Sequence, residues 1–343
     1  MSSALVAPTA KDRWRVAIPH ELSPAALFRP AGELQLLEGA AMGTSWRVTF
    51  VGRQAAAPAA QRAVLQILAR VAAHFSPWEP DSELNRFNAT PVGAWHVASA
   101  DFARVMASAL EVAEQTGSAC DPALGALVDL WGFGPIRRAN GVPDATGIAQ
   151  ALRDSCWRHI ALDQVANKVA RHAPARLDLC GIAKGYAVDL VTRYFRDAGV
   201  ASALVEIGGE LSGYGIKPDG TPWWVAIDGD PAVEPPLLAA LHGLAIATSG
   251  SERAFEHEGS TYSHTIDPRT GRPIDNGMIS ASVLHEQCML ADSHATALMV
   301  MGPKRAIAFA DAHGLAAVIR YRSGNSIPVV ERISARLQAM LEG

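Results

Sequence analysis

Three segments of this sequence place polar side chains among glycines, where a backbone can approach a ligand closely. The first runs from Asp178 to Asp189 and sets Lys184 between Gly181 and Gly185, where a helix is predicted to begin. A helix N-terminus offers free N–H groups and a partial positive charge, so this segment suits a phosphate, and the lysine adds a point charge. A glycine-lined helix start with a solvated lysine is the alternative. The sequence has neither the P-loop pattern nor the dinucleotide-binding glycine pattern.

The second segment, residues 291–296, carries Asp292 and Thr296 four residues apart on a predicted helix. This spacing puts both side chains on one helix face. Carboxylate and hydroxyl oxygens are hard ligands of the kind that Mg²⁺ takes together with water and substrate phosphate. The alternative is purely structural, because an aspartate near a helix start stabilises the dipole and a threonine can bond back to the helix backbone.

The third segment contains His264, just before a turn at Asp267-Pro-Arg-Thr-Gly271. A histidine that titrates near neutral pH can accept the proton of a hydroxyl nucleophile, and the alternative is a packed or surface histidine. Two weaker signals are Trp78, in a proline-rich loop, and the glycines and aromatic residues that follow Cys120. The first could stack on a planar ring and the second could line a pocket, although both features are common in ordinary turns and cores.

The elements that position these segments follow from periodicity and turn residues. We predict strands at 45–50, 203–207, 223–227, 244–248, 279–284 and 315–321. We predict helices at 57–75, from the Ser99 cap to Gly117, at 183–198, at 290–301, from Gly302-Pro303 to His313, and at 330–341. Turns are predicted at Gly208-Gly209, Asp219-Gly220 and Asp228-Gly229. Strands that cluster around tight turns, without regular alternation with helices, favour the α+β class with antiparallel sheets flanked by helices.

The predicted organisation is one compact domain over residues 41–343, preceded by an N-terminal extension of residues 1–40. The 343 residues have a net charge of −4 and 49% hydrophobic content, which is typical of a globular protein and gives no basic face for nucleic acid. No apolar run approaches about 18 residues, so we expect no membrane span. The four cysteines form no CxxC pair. Because we see no signal peptide or lipid-anchor cysteine, we predict a cytoplasmic protein.

Eight motifs, taken in order, resemble those of the FAD:protein FMN transferases, the ApbE-like family. They are Met42-Gly-Thr44, Ser76-Pro-Trp78 with 82–88, 121–125 with 131–134, 178–189, 206–210, 247–250, 263–271 and 291–296. The resemblance implies a single α+β, T-fold-like domain. It also implies an activity that moves the FMN half of FAD onto a Thr or Ser hydroxyl of an acceptor flavoprotein, releases AMP and needs Mg²⁺.

The resemblance further implies roles for individual residues. The implied flavin and cofactor contacts are Met42, Trp78, Ala119, Cys120, Asp121, Asp178, Lys184 and Ile266. The implied metal ligands are the carbonyl of Gly181 and the side chains of Asp292 and Thr296. His264 is the implied base, and Lys184 would stabilise charge on the phosphate. Two positions depart from the family pattern: Trp78 stands where a tyrosine is frequent, and Ala295 where some members have a second metal-binding carboxylate.

Two other functions are compatible with the same residues. A Mg²⁺-dependent FAD pyrophosphatase would use this site with water in place of the protein hydroxyl, and would release FMN and AMP without an acceptor. A non-catalytic flavin-binding protein would need neither His264 nor the metal ligands.

Overall fold

The computed structural model describes residues 14–19, 27–135, 141–227, 235–251, 253–322 and 328–342, so the turn predicted at Asp228-Gly229 lies outside the described residues. The helices are α1 (Ala57–Phe75), α2 (Glu83–Ala89), α3 (Ala100–Gln115), α4 (Gly125–Leu130), α5 (Ala145–Asp154), α6 (Cys180–Asp197), α7 (Cys288–Ala312) and α8 (Ala335–Glu342). The first nine strands are β1 (Arg15–Ala17), β2 (Glu33–Ala41), β3 (Thr44–Gly52), β4 (Trp95–Val97), β5 (Ile160–Asp163), β6 (Lys168–Arg171), β7 (Ala203–Ile207), β8 (Glu210–Tyr214) and β9 (Trp223–Ile227). The remaining strands are β10 (Leu237–Leu241), β11 (Leu244–Gly250), β12 (Ala254–His257), β13 (Ser260–Ser263), β14 (Ile266–Asp267), β15 (Arg272–Pro273), β16 (Met278–His285), β17 (Ala316–Tyr321) and β18 (Val330–Ile333).

An eight-stranded sheet lies at the centre of the described chain, with its strands in the order β18-β17-β16-β11-β8-β7-β3-β2. All its neighbouring strands are antiparallel. Two three-stranded sheets, β1-β10-β9 and β4-β6-β5, and the hairpins β12-β13 and β14-β15 accompany it. The α+β class with antiparallel sheets, predicted from the sequence, is therefore confirmed.

The central sheet separates two packed layers, as the alternation along β11 shows. Ala247 packs with Ala291 and Ala295 of α7, whereas its neighbour Ile246 packs with Val225 of β9. Successive strand residues point to opposite faces, so helices α6 and α7 cover one face and the β1-β10-β9 sheet covers the other. The helical layer is the one that carries the candidate site.

Local signals place four of the eight helices of the described chain, α1, α3, α6 and α7, whereas α2, α4 and α5 were not predicted. α1 spans the predicted residues and buries one apolar stripe against the core. Ser99 caps α3 through a bond from Phe102 N to Ser99 Oγ at 3.1 Å. Gly302 has a φ of 73° and breaks α7 at the predicted position.

The predicted helix at 330–341 begins too early. Residues Val330–Ile333 form β18, which pairs with β17, and the helix starts only at Ala335. Ser334 sets this boundary, because its Oγ accepts hydrogen bonds from Leu337 N at 3.3 Å and from Ala317 N at 2.9 Å.

The predicted extension of residues 1–40 contributes two strands. β1 pairs with β10, and β2 pairs along its full length with β3 at the edge of the central sheet. Leu34 and Leu36 are exposed on β2, so this strand lacks the clear apolar alternation that marks β3. Among the described residues, no helix has the length and apolarity needed to cross a bilayer.

Candidate active site

A cavity of about 780 Å³ lies against the first turns of α6 and α7, the β7–β8 turn and the end of β11. This volume is in the range of pockets that bind small molecules and cofactors. The cavity is lined by ten residues predicted from the sequence: Ala119, Cys120, Asp121, Asp178, Gly181, Lys184, His264, Ile266, Asp292 and Thr296.

The contact between α6 and α7 assembles one wall of this cavity. Gly185 N donates a hydrogen bond to Asp292 Oδ2 at 3.1 Å. A side chain at Gly185 would not fit, because a Cβ there would lie 2.4 Å from the carbonyl oxygen of Cys288. One turn earlier, a Cβ at Gly181 would lie 3.3 Å from Thr296 Oγ1. The two glycines therefore let α6 approach the helix that carries the predicted metal ligands.

Asp292 and Thr296 both face the cavity, as their spacing predicts. Asp292 is only 3% exposed, and burial raises the pKa of its carboxyl group despite the opposing effects of Lys184 and the Gly185 N–H. Thr296 Oγ1 lies 3.1 Å from Ser249 Oγ on β11, so this hydroxyl is held by a hydrogen bond. The two oxygens thus sit in a fixed arrangement on one helical turn.

Lys184 forms an ion pair with Glu210, which begins β8 directly after the Gly208-Gly209 turn. The Glu210 side chain is 2% exposed and that of Lys184 is 36% exposed. Burial disfavours the charged ammonium, but Asp292 and Glu210 outweigh it and raise the pKa of Lys184. Burial, reinforced by Asp292 and opposed by Lys184, raises the pKa of Glu210 to about 7. Lys184 is therefore cationic and held by a carboxylate at the cavity wall.

His264 follows the end of β13 and is oriented by one carbonyl group. Its Nδ1 lies 3.0 Å from the carbonyl oxygen of Arg253, which can only accept, so Nδ1 carries the hydrogen and Nε2 is left with a lone pair. Burial lowers the pKa of His264, opposed by the hydrogen bond to the Arg253 carbonyl and by Asp178 and reinforced by the charges of Arg253 and Lys184. The neutral imidazole is therefore the form present at neutral pH, with Nε2 as a proton acceptor.

Two aspartates of the cavity wall accept hydrogen bonds from backbone N–H groups. Asp121 accepts hydrogen bonds from Ala123 N at 2.8 Å and Trp157 N at 3.1 Å, one on each carboxylate oxygen. Asp178 Oδ1 accepts from Cys180 N at 2.8 Å, at the start of α6. Asp121 therefore shapes the wall, and Asp178 presents a carboxylate beside the helix start.

The two cysteines of the cavity are not activated nucleophiles. Burial, followed by the nearby carboxylates, raises the pKa of Cys120 to about 12 and also raises that of Cys180. Both thiols are protonated at neutral pH, which disfavours a cysteine mechanism at this site.

Trp78 and Met42 lie outside the main cavity. Trp78 is 52% exposed and lines a side pocket of about 80 Å³ that shares Asp178 and His264 with the main cavity. Met42 lies in the β2–β3 turn with a φ of 54° and packs against the core. Gly208, on the cavity wall, donates from its N–H to the carbonyl of Ser45 at 3.0 Å, so the turn that carries Met42 lies near the cavity edge.

This chain resembles known proteins over nearly its whole length. A model of the ApbE family matches residues 42–319. This chain belongs to the ApbE family. It is 36% identical to a FAD:protein FMN transferase of Vibrio cholerae over 307 residues, which cover 88% of this chain and 91% of that protein. It is also 36% identical to a FAD:protein FMN transferase of Salmonella typhimurium, over 84% of this chain and 85% of that protein.

The fold comparison agrees with the sequence comparison. The crystal structure of apo flavinyl transferase ApbE from Pseudomonas stutzeri aligns with a TM-score of 0.84 at 33% identity, covering 91% of this chain and 98% of that one. The flavin transferase ApbE of Vibrio cholerae aligns with a TM-score of 0.81 at 32% identity. The predicted family and its single-domain α+β fold are therefore confirmed.

The donors present in this ApbE family member fit a hard cation. Asp292 supplies a carboxylate, Thr296 a hydroxyl and Gly181 a carbonyl, all oxygen donors of the kind that Mg²⁺ prefers. Within the described residues, no three His, Cys, Asp or Glu side chains are grouped as a metal site. Ala295 offers no further carboxylate, so a Mg²⁺ ion here would depend on Asp292 for its charged protein ligand and on water or substrate phosphate for other positions.

Three residues of the site have no role predicted from the sequence. Glu210 pairs with Lys184, Ser249 holds Thr296, and the Arg253 carbonyl orients His264. Glu210 and Ser249 lie in motifs that pointed to the family, 206–210 and 247–250, and glycines next to polar residues were the available signal. Arg253 carries no such signal, because its contribution comes from the backbone.

Proposed function

We propose that this chain is a Mg²⁺-dependent FAD:protein FMN transferase that moves the FMN portion of FAD to a Thr or Ser hydroxyl of an acceptor flavoprotein and releases AMP. The supporting observation is that Asp292, Lys184 and His264 converge on one cavity of about 780 Å³. A carboxylate for a cation, a cation for phosphate and a neutral base are the groups that this transfer needs. The naming of relatives at 36% identity as FAD:protein FMN transferases supports the same activity.

The transfer exchanges one phosphorus–oxygen bond for another. The acceptor hydroxyl oxygen attacks the FMN phosphorus and forms a phosphoester bond, while the bond from that phosphorus to the bridging oxygen breaks. The bridging oxygen leaves with the electron pair as part of AMP. The hydroxyl proton passes to Nε2 of His264, whose Nδ1 stays bonded to the Arg253 carbonyl.

Charge on the pyrophosphate is offset by groups of the α6–α7 wall. Lys184 is held beside the cavity by Glu210, so its ammonium is positioned before the substrate arrives. The start of α6 adds the positive end of a helix dipole. Asp292, Thr296 and the Gly181 carbonyl would hold Mg²⁺, which would neutralise charge on the pyrophosphate when bound.

The flavin and the acceptor belong at the His264 end of the cavity. His264 lines both the main cavity and the side pocket that contains Trp78. A hydroxyl that reaches Nε2 must enter there, and an exposed indole next to this entrance suits an isoalloxazine ring. Flavin contacts from Trp78 and Met42 remain predictions, as does the cytoplasmic location.

The decisive experiment combines the protein with FAD, Mg²⁺ and candidate flavoproteins, followed by mass spectrometry of each flavoprotein. We expect a mass increase equal to the FMN group on one Thr or Ser, together with one AMP per modified acceptor. AMP release at the same rate without an acceptor would instead identify a FAD pyrophosphatase. FAD binding without either product would identify a flavin-binding protein.

A further inference from the structure

One motif residue, Asp189, has no part in the cavity, although the motif 178–189 contributes Asp178, Gly181 and Lys184 to it. Asp189 Oδ1 accepts a hydrogen bond from Cys288 N at 2.7 Å, and Oδ2 accepts one from Met289 N at 3.0 Å. Both N–H groups belong to the first turn of α7, where a helix has no backbone acceptors of its own. A side chain of α6 therefore caps α7 across 99 residues of sequence.

The cap is not duplicated by the residue that normally provides it. Gln287 occupies the N-cap position of α7 and makes no side-chain cap hydrogen bond. Burial raises the pKa of Asp189 to about 6, while the two N–H donors and Arg193 oppose this effect. At neutral pH the carboxylate is therefore ionised and accepts both bonds, in favourable interaction with the α7 dipole.

Asp189 belongs to a regular set of contacts between the two helices. Gly181, Gly185 and Asp189 are spaced four residues apart and so lie on one face of α6. On α7, Gly181 lies next to Thr296, and Gly185 contacts Asp292 and Cys288. Asp189 accepts hydrogen bonds from Cys288 and Met289. The contacts run towards the C-terminus of α6 and towards the N-terminus of α7. Asp189 makes the contact that lies farthest from the cavity.

From this arrangement we infer that Asp189 is a positioning residue for the metal site, because it fixes where α7 begins and so where Asp292 and Thr296 lie relative to α6. This inference rests on the proposed role of Asp292 and Thr296 as Mg²⁺ ligands. The glycine contact limits how closely the two helices can approach. It does not fix the position of α7 along α6, because Gly185 has no side chain that could hold it. The two Asp189 hydrogen bonds and the Gly185–Asp292 bond supply the attraction that sets the register.

The test measures Mg²⁺ binding by calorimetry, with FAD present, for wild type and for Asp189→Asn. The amide keeps the size of the side chain but replaces one acceptor with a donor that opposes a backbone N–H. We expect Mg²⁺ affinity to fall about 10- to 100-fold, as for partners that orient metal ligands indirectly. Unchanged affinity in the folded variant would overturn the inference. A wild-type protein that binds no Mg²⁺ would overturn the metal assignment itself, and this inference with it, before any variant is examined.

Two further variants separate positioning from general destabilisation. Ser334→Ala removes a buried cap of α8, outside the cavity, and should lower the melting temperature while Mg²⁺ affinity is kept. Adding Gln287→Asp to Asp189→Asn supplies α7 with a cap of its own, and we expect it to restore most of the lost affinity. Equal loss of affinity in Ser334→Ala, or no restoration in a folded double variant, would contradict a positioning role. If Asp189→Asn does not fold, Asp189→Glu replaces it, with a smaller loss expected because the charge is kept.

Discussion

The carbonyl oxygen of Arg253 accepts two hydrogen bonds from His264, one from the backbone N–H at 2.8 Å and one from Nδ1 at 3.0 Å. The first fixes the histidine backbone and the second fixes the tautomer of its ring. Because both bonds come from a backbone carbonyl, they do not depend on the side chain at position 253. The result is an imidazole with Nε2 available at the junction of the main cavity and the side pocket.

The first prediction concerns the pH dependence of transfer. Burial lowers the pKa of His264, so its imidazole stays neutral at pH values where an exposed histidine would be protonated. The acid limb of kcat/KM should therefore lie below about pH 6.5, the ordinary histidine value. Activity measured across this range at saturating Mg²⁺ checks the position of the limb. Glu210 has a pKa of about 7 in the same cavity wall, so a limb above pH 6.5 would contradict the assignment of His264 as the base if it is also present in Glu210→Gln.

The same role predicts the effect of removing the ring. His264→Ala should lose about 10²- to 10⁴-fold in transfer rate with a much smaller change in FAD affinity, because the base acts on the acceptor proton. Added imidazole should restore part of the activity. His172→Ala, which removes an exposed histidine outside both pockets, is the control. Near-normal transfer by His264→Ala would contradict the assignment of His264 as the base.

The second prediction concerns the Lys184–Glu210 ion pair. At alkaline pH, where Glu210 is ionised, Lys184→Met leaves its buried carboxylate without a cation and should cost about 3 kcal/mol of unfolding free energy, near the low end for buried pairs because the lysine is partly exposed. The double variant Lys184→Met, Glu210→Gln should recover most of this stability, since no unpaired charge is left. Chemical denaturation of the three proteins measures both effects.

Activity separates the stabilising role of this pair from its catalytic role. The double variant should remain poor in FMN transfer despite its restored stability, because the ammonium that is proposed to face the phosphate is gone. Transfer that recovers together with stability would show that Lys184 acts only as a structural partner of Glu210.

Local patterns predicted the parts of the site that lie on one element. The four-residue spacing of Asp292 and Thr296 on a helix is sufficient to place both oxygens on one face, and the structure shows them there. Gly181 and Gly185 likewise indicated where α6 begins. Strand clusters and turn residues were enough for the α+β class.

Contacts between distant elements were not predictable in this way. Glu210 meets Lys184 across 26 residues and Asp189 meets Cys288 across 99, and no spacing rule joins such pairs. β2 was missed because it is an edge strand on which Leu34 and Leu36 are exposed and only Leu37 packs into the core. The start of α8 was misplaced because the cap at Ser334 depends on Ala317 of a neighbouring strand.

The third prediction concerns the close approach of α6 and α7. Gly185→Ala would put a Cβ within 2.4 to 2.6 Å of backbone atoms of Cys288 and Met289, which cannot move aside as a side chain can. We expect a loss of about 1–3 kcal/mol in unfolding free energy and weaker Mg²⁺ binding, because the helices must separate. Gly147→Ala in α5 is the control, since its nearest neighbour is a side-chain atom of Asp144 at 3.3 Å. Wild-type stability of Gly185→Ala would show that the contact is looser than described.

The fourth prediction concerns Trp78 as a flavin contact. The side chain is 52% exposed, so Trp78→Ala should change stability little, whereas loss of stacking should weaken FAD binding about tenfold. Trp78→Phe keeps an aromatic face and should retain most of the affinity. Trp95 is a matched control, because it is 50% exposed on β4 and lines neither pocket. Titration of flavin fluorescence measures all four proteins, and equal affinity of Trp78→Ala and Trp95→Ala would place the flavin away from the side pocket.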